Sequence, residues 1–208
     1  GSDSGSGKTG ALYAALSIWG NPHNMSLVED GATKNAFVAR YLALHNIPFG
    51  LDEVGNIEAK ELSGLIHKIS SGKAKARMQA SVNAEREHEG SASLIAVFTS
   101  NHSLINRLKT YKLNPNGEMA RLLEIGVNKP QIFLDNPSVG RETFQPFNLN
   151  YGHAGFDFIS KLFKYSDEDI QKRLDKWSLK FKEDFGDDTT YRFHENMVSA
   201  TFTAAEIV

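Results

Sequence analysis

The sequence predicts an α/β fold, a mostly parallel sheet flanked by helices and followed by a helical C-terminal part. Three observations point there. A glycine-rich turn, Gly5-Ser6-Gly7-Lys8-Thr9, opens the first helical stripe. Short apolar runs that end in polar residues, Ile47 to Leu51 and Leu94 to Phe98, alternate with helical stripes up to about Val127. Beyond that point only helical stripes recur. Residues 1–150 are therefore expected to form the α/β core and residues 151–208 a helical subdomain.

Each element has its own signal. Ala11, Leu12, Ala15, Leu16 and Trp19 fall at helical spacing, and Gly20-Asn21-Pro22 marks a stop. Met25 to Val28 reads as a short strand. Thr33 can cap a helix whose apolar face holds Phe37, Val38, Tyr41, Leu42 and Leu44, and Asn46 and Pro48 end it. Ile47 to Leu51 reads as a buried parallel strand. A helix is expected from about Glu58 to Ile69. Leu94 to Phe98 is the strongest strand signal, followed by a helix over Leu104 to Tyr111 and a strand over Ala120 to Val127. Phe158, Ile159, Leu162 and Phe163 mark one amphipathic helix. Ile170, Leu174, Trp177, Phe181 and Phe185 mark a longer one, and the tail from His194 a third.

Composition narrows the function. The 208 residues are 40% hydrophobic and 23% charged, ordinary globular values. A net charge of -2 excludes a uniformly basic nucleic-acid binder, so local patches must carry any such role. With no cysteine, disulfides and thiolate metal sites are excluded. The seven histidines form no His-x-x-x-His pair, which argues against a dedicated zinc site. No apolar run approaches the ~18 residues of a membrane span, so no membrane partner is expected, and a reducing, cytoplasmic setting fits the absence of cysteine. Gly1-Ser2 has the look of a cloning remnant, and no strand precedes the glycine turn. The sheet is expected to lack its first strand and the chain to be a piece of a larger protein.

The glycine turn carries the first chemistry. Backbone N–H groups of such a turn at a helix start form a concave anion site. Gly5 and Gly7 let the backbone approach phosphates, Ser6 lies between them, Lys8 neutralises the β- and γ-phosphates, and the Thr9 hydroxyl is placed to bind Mg²⁺. This is the Walker A arrangement of a P-loop, although Ser2 stands where the full pattern has glycine. The alternative is a flexible Gly/Ser tail ahead of a helix. Asp52-Glu53, at the end of an apolar run, matches Walker B: Asp52 beside the metal, Glu53 polarising the attacking water. Acidic residues at a helix start would look the same. Asn101, after the Leu94 to Phe98 strand, is either a sensor of the γ-phosphate or a cap for the helix that begins near Ser103. Lys73, Lys75 and Arg77 sit in a glycine-bearing loop that could meet a nucleic-acid backbone or a neighbour's nucleotide, or could simply be solvated. Arg121 is a candidate arginine finger, with an ordinary salt bridge as the competing role.

Taken in order, these residues resemble a family. Ser4-x-x-Gly7-Lys8-Thr9, Ser17-Ile18-Trp19-Gly20-Asn21-Pro22, Thr33-x-Asn35, His45-Asn46-Ile47-Pro48 and Leu51-Asp52-Glu53 are similar to an ATPase domain of unknown function in phage and prophage primase–helicase proteins. Gly72-Lys73-x-Lys75-x-Arg77, Arg121 to Ile125, Tyr151-Gly152-His153-Ala154-Gly155, Arg192-Phe193 and Ala204-Ala205-Glu206 extend the likeness over nearly the whole chain. Asn101 departs from the Ser-Thr-Gly-Glu run of relatives and resembles the sensor of superfamily 3 and AAA+ ring helicases. The resemblance implies Mg²⁺-dependent ATP hydrolysis, single-stranded DNA as a partner, a homo-oligomeric ring, an attached primase module and a bacterial host cytoplasm. It also implies that Arg77 or Arg121 reaches a neighbour's nucleotide. The competing expectations are a nucleotide-dependent scaffold with little turnover, and a mobile-element or defence ATPase acting on RNA or protein.

Overall fold

The computed structural model describes residues 5–28, 34–72, 91–136 and 138–208. Helices dominate. Helix α1 (Lys8–Ser17) starts directly at the glycine turn, whose Gly7 has φ 86°, a left-handed conformation that glycine adopts without a Cβ clash. α1 ends before Gly20-Asn21-Pro22, and this stop signal is also a start. The Asn21 side chain accepts from the His23 N–H at 3.0 Å and Pro22 occupies the first turn of α2 (Pro22–Met25). The chain then runs through β1 (Ser26–Val28), α3 (Lys34–Leu44), β2 (Phe49–Asp52), a 3₁₀ turn (Val54–Asn56) and α4 (Ala59–Ser71). After β3 (Ala96–Phe98) come α5 (Leu104–Tyr111), α6 (Asn116–Met119), α7 (Gln131–Asp135) and α8 (Ser138–Phe144). The C-terminal helices are α9 (His153–Leu162), α10 (Asp167–Phe185) and α11 (Arg192–Ile207).

The three described strands form one parallel sheet in the order β1-β2-β3, with Leu27 opposite Leu51 and Leu51 opposite Phe98. Successive residues of β2 face opposite sides of the sheet. Phe49 and Leu51 enter the larger core with Phe37, Tyr41, Leu62, Ile66, Leu104 and Leu108. Gly50 faces α1, where an added Cβ would stand 2.7 Å from Leu16 and 3.2 Å from Leu12. Glycine at this position lets α1 lie close on the central strand, so the helix that opens at the glycine turn is fixed to the strand that ends in Asp52.

The expected strand over Ala120 to Val127 is absent. The chain leaves α6 through a turn, Arg121 N–H to Glu118 carbonyl at 3.0 Å, and residues 122–130 have no regular structure. Leu123, Ile125 and Val127 alternate as a strand would, yet they are 51%, 73% and 41% exposed. The run has the strand period without a ladder partner among the described residues, and its Glu124 serves another element. Glu124 Oε2 accepts the first N–H groups of α5, Leu104 at 2.8 Å and Ile105 at 3.1 Å.

Near the C-terminus, α10 and α11 pair through Trp177 stacked on Phe202, ring centroids 4.5 Å apart, and through Arg173 and Lys176, which both hold Glu206. The Gly152-His153-Ala154-Gly155 stretch docks α9 on the end of α1. The Gly152 and Gly155 N–H groups donate to the Ser17 and Ile18 carbonyls at 2.7 and 2.8 Å, satisfying acceptors that the last turn of α1 leaves open. No helix among the described residues is long and apolar enough to cross a membrane.

Candidate functional site

The sheet brings the sequence-selected residues together at the ends of β2 and β3. α1 carries Thr9 in its first turn, and the Thr9 hydroxyl donates to Asp52 Oδ1 at 3.0 Å. Lys8 Nζ donates to the Ser6 hydroxyl at 3.2 Å, within the turn itself. The Asn101 amide donates to Glu53 Oε1 at 2.6 Å. Asn101 is not the cap of α5. Ser103 is, accepting from the Asn106 N–H at 3.1 Å, which leaves Asn101 turned to the carboxylate.

Glu53 departs from strand geometry at once. Its φ of 58° and ψ of 44° put a non-glycine residue in the left-handed region, at a cost of about 1–2 kcal/mol. Thr99 supplies the compensation. Its hydroxyl accepts the Glu53 N–H at 2.9 Å and donates to Asp52 Oδ1, while its carbonyl accepts the Val54 N–H at 2.9 Å. One buried threonine thereby holds the Asp52 carboxylate and the Glu53 backbone together. Arg107 of α5 braces the turn beyond, donating to the Gly55 carbonyl and, at 2.6 Å, to the Ile57 carbonyl.

A cavity of about 390 Å³ lies over this arrangement. Gly5, Ser6, Gly7, Lys8 and Thr9 form its floor, and Glu53 and Asn101 border it. Lys129, Phe133 and Phe144 from the later part of the chain also line it. Its size suits a small-molecule ligand. The oxygens of Thr9 and Asp52 are the hard donors that Mg²⁺ takes, and that ion needs only one or two protein ligands when phosphate supplies others. No group of three or more His, Cys, Asp or Glu side chains among the described residues is arranged to hold a metal.

A family model described as "Domain of unknown function (DUF927)" matches residues 1–89, which include the glycine turn, Asp52 and Glu53. A solved structure described as "SCCmec type IV Cch - active helicase" aligns over 99% of this chain with a TM-score of 0.74 and 22% identity. The match covers 36% of that protein, so the chain spans about a third of its length. At this identity the likeness establishes a shared fold. No curated protein matches the chain.

Arg121 is not at the cavity. Its Nη1 donates to the Gly117 carbonyl at 2.5 Å, and its guanidinium lies 4.8 Å from the Phe193 ring centroid. It sits after α6 rather than in a strand. Lys73, Lys75 and Arg77 lie outside the described residues. Thr99, Arg107, Lys129, Phe133 and Phe144 join the site in addition to the residues the sequence singles out. Thr99 carried a legible signal, a hydroxyl directly after the apolar run that pairs with the Asp52 strand. The other four reach the site through packing that no local pattern encodes.

Proposed function

We propose that the chain is a P-loop ATPase domain of a DNA helicase or translocase of a phage, prophage or related mobile element. The observation that carries the reading is the hydrogen bond from Thr9, at the start of a helix opened by a glycine turn, to Asp52 at the end of the adjacent parallel strand. That pair is what a Mg-nucleotide requires: a hydroxyl and a carboxylate within reach of one ion, beside backbone donors for phosphate. Residues 1–150 are read as the ATPase core and 151–208 as its helical subdomain. The fold likeness to a protein described as an active helicase and the family match across the glycine turn and Asp52-Glu53 support the reading.

In this reading Gly5, Ser6 and Gly7 present backbone N–H groups to the phosphates and Lys8 neutralises their charge. Thr9 and Asp52 hold Mg²⁺, which supplies further positive charge to the phosphate oxygens when bound. Glu53 orients and polarises the attacking water, and Asn101 fixes the Glu53 carboxylate toward it. Arg121, or Arg77, stabilises charge on the nucleotide of a neighbouring subunit in a homo-oligomeric ring. Single-stranded DNA, an attached primase module and a bacterial cytoplasm complete the proposal, with Lys73 and Lys75 as candidate DNA contacts.

The test is ATP turnover by the chain with and without single-stranded DNA, beside Glu53→Gln. DNA-stimulated turnover that is lost in the variant is the expected result. Tight ATP binding with no turnover under any condition would replace this reading with a nucleotide-dependent scaffold.

A further inference from the structure

The segment after residues 122–130 packs back onto the glycine turn. Phe144, at the end of α8, fills the space beside Gly10, where an added Cβ would lie 2.3 Å from its Cδ2. Phe133 of α7 meets Phe144 edge-on, ring centroids 6.4 Å apart. It also closes on Gly7, where a Cβ would stand 3.0 Å from its ring. The two aromatic contacts seat α7 and α8 against the turn, and the glycines at 7 and 10 leave room for them.

This seating determines where Lys129 goes. Pro130 caps α7, and the residue just before it is delivered to the mouth of the cavity. Lys129 Nζ lies 3.6 Å from the position a Gly5 Cβ would take. Two lysines distant in sequence, Lys8 and Lys129, therefore line one cavity together with the glycine turn. A ligand carrying several negative charges and seated in that cavity meets both ammonium groups.

We infer that Lys129 is a second phosphate-binding cation of this site, reaching the phosphate chain of a nucleoside triphosphate at Gly5 while Lys8 reaches it from α1. The inference rests on the ATP-binding reading above and adds to it a residue that the glycine-turn motif does not contain. It also gives the 129–144 segment a role. Phe133 and Phe144 fix the segment on the turn, and Lys129 ties it to whether phosphate is bound.

Equilibrium titration of the chain with ATP, AMP and adenosine in the presence of Mg²⁺ tests this, using Lys129→Met, Lys129→Arg and Lys8→Met. Loss of one charge-assisted hydrogen bond weakens ATP binding by about ten- to a hundredfold. Lys129→Met should show that loss for ATP, with adenosine binding and the ligand-free unfolding midpoint unchanged, and Lys129→Arg should recover most of it. Unchanged ATP affinity in Lys129→Met, alongside its loss in Lys8→Met, would overturn the role of Lys129 and leave the ATP reading standing. Equal losses for ATP and adenosine would also overturn it, because they mark a structural effect. Failure of the unsubstituted chain to bind ATP would overturn both readings.

Discussion

The Asn101 side chain donates to the Glu53 carboxylate at 2.6 Å, bridging 48 positions of sequence and joining the end of β3 to the end of β2. The bond orients the Glu53 carboxylate, the water-polarising group of the proposed ATPase. A carboxylate that must polarise water loses efficiency when it is free to rotate, because positioning supplies much of the rate in phosphoryl transfer. Asn101→Ala is therefore expected to lower kcat for ATP hydrolysis by about ten- to a hundredfold. ATP affinity should change little, since the proposed function assigns phosphate binding to the glycine turn. Asn101→Asp should be at least as impaired, because it sets a second carboxylate against Glu53. Steady-state kinetics together with equilibrium ATP binding separate these effects. A parallel fall in affinity would assign Asn101 to ligand binding instead.

The legible part of this molecule is the part encoded by contiguous residues. Apolar runs followed by Asp52-Glu53 and by Asn101 announce strands and their ends, because a buried strand must be apolar and its chemistry must emerge where it stops. The long C-terminal helices were legible from their apolar stripes for the same reason. The 120–127 run has strand alternation without forming a strand, because alternation is necessary for a half-buried strand but says nothing about a neighbour to pair with. Helices α7 and α8 carry too few residues to display a helical period. Lys129 reaches the cavity through Phe133 and Phe144 filling space left by glycines more than a hundred residues earlier. That complementarity exists only in three dimensions.

A second ionic centre lies away from the cavity. Glu118 is buried and accepts from Lys112 Nζ and from the Ser63 hydroxyl, each at 2.5 Å, and His67 Nε2 lies 3.5 Å from the same oxygen. Burial pushes the Glu118 carboxyl up, but the bonds from Lys112 and Ser63 and the Lys112 charge together pull it further down, to about 2. A carboxyl that binds its proton less readily when folded contributes stability that is full above its unfolded value near 4.5 and is lost as pH falls toward 2. The contribution is on the order of 3 kcal/mol. Urea unfolding between pH 6 and pH 2 should show this loss. Glu118→Gln should be less stable at neutral pH and show a shallower slope through the acid range. Parallel curves for the two proteins would exclude Glu118 as the source.

Helix α9 is held on the end of α1 by a contact that only glycine permits. A Cβ on Gly155 would stand 2.6 Å from the Ile18 carbonyl oxygen and 2.9 Å from the Trp19 ring, so alanine must push α9 away and lengthen the 2.8 Å bond from the Gly155 N–H to that oxygen. Overpacking and a weakened hydrogen bond together cost about 2–3 kcal/mol. Gly64 supplies the control. It lies inside α4 with nothing within 4 Å of its added Cβ, so Gly64→Ala gains helix propensity and should stabilise by about 1 kcal/mol. Opposite shifts of the urea midpoint in the two variants are the expected result, and a shift of the same sign in both would show that Gly155 is not set by the α1–α9 contact. The effect reaches the candidate site along α1, because the helix whose last carbonyls α9 satisfies is the one whose first turn presents Lys8 and Thr9. If the proposed ATP site is correct, Gly155→Ala should weaken ATP binding a few-fold as well, a consequence that instability elsewhere in the molecule would not produce at temperatures where the chain stays folded.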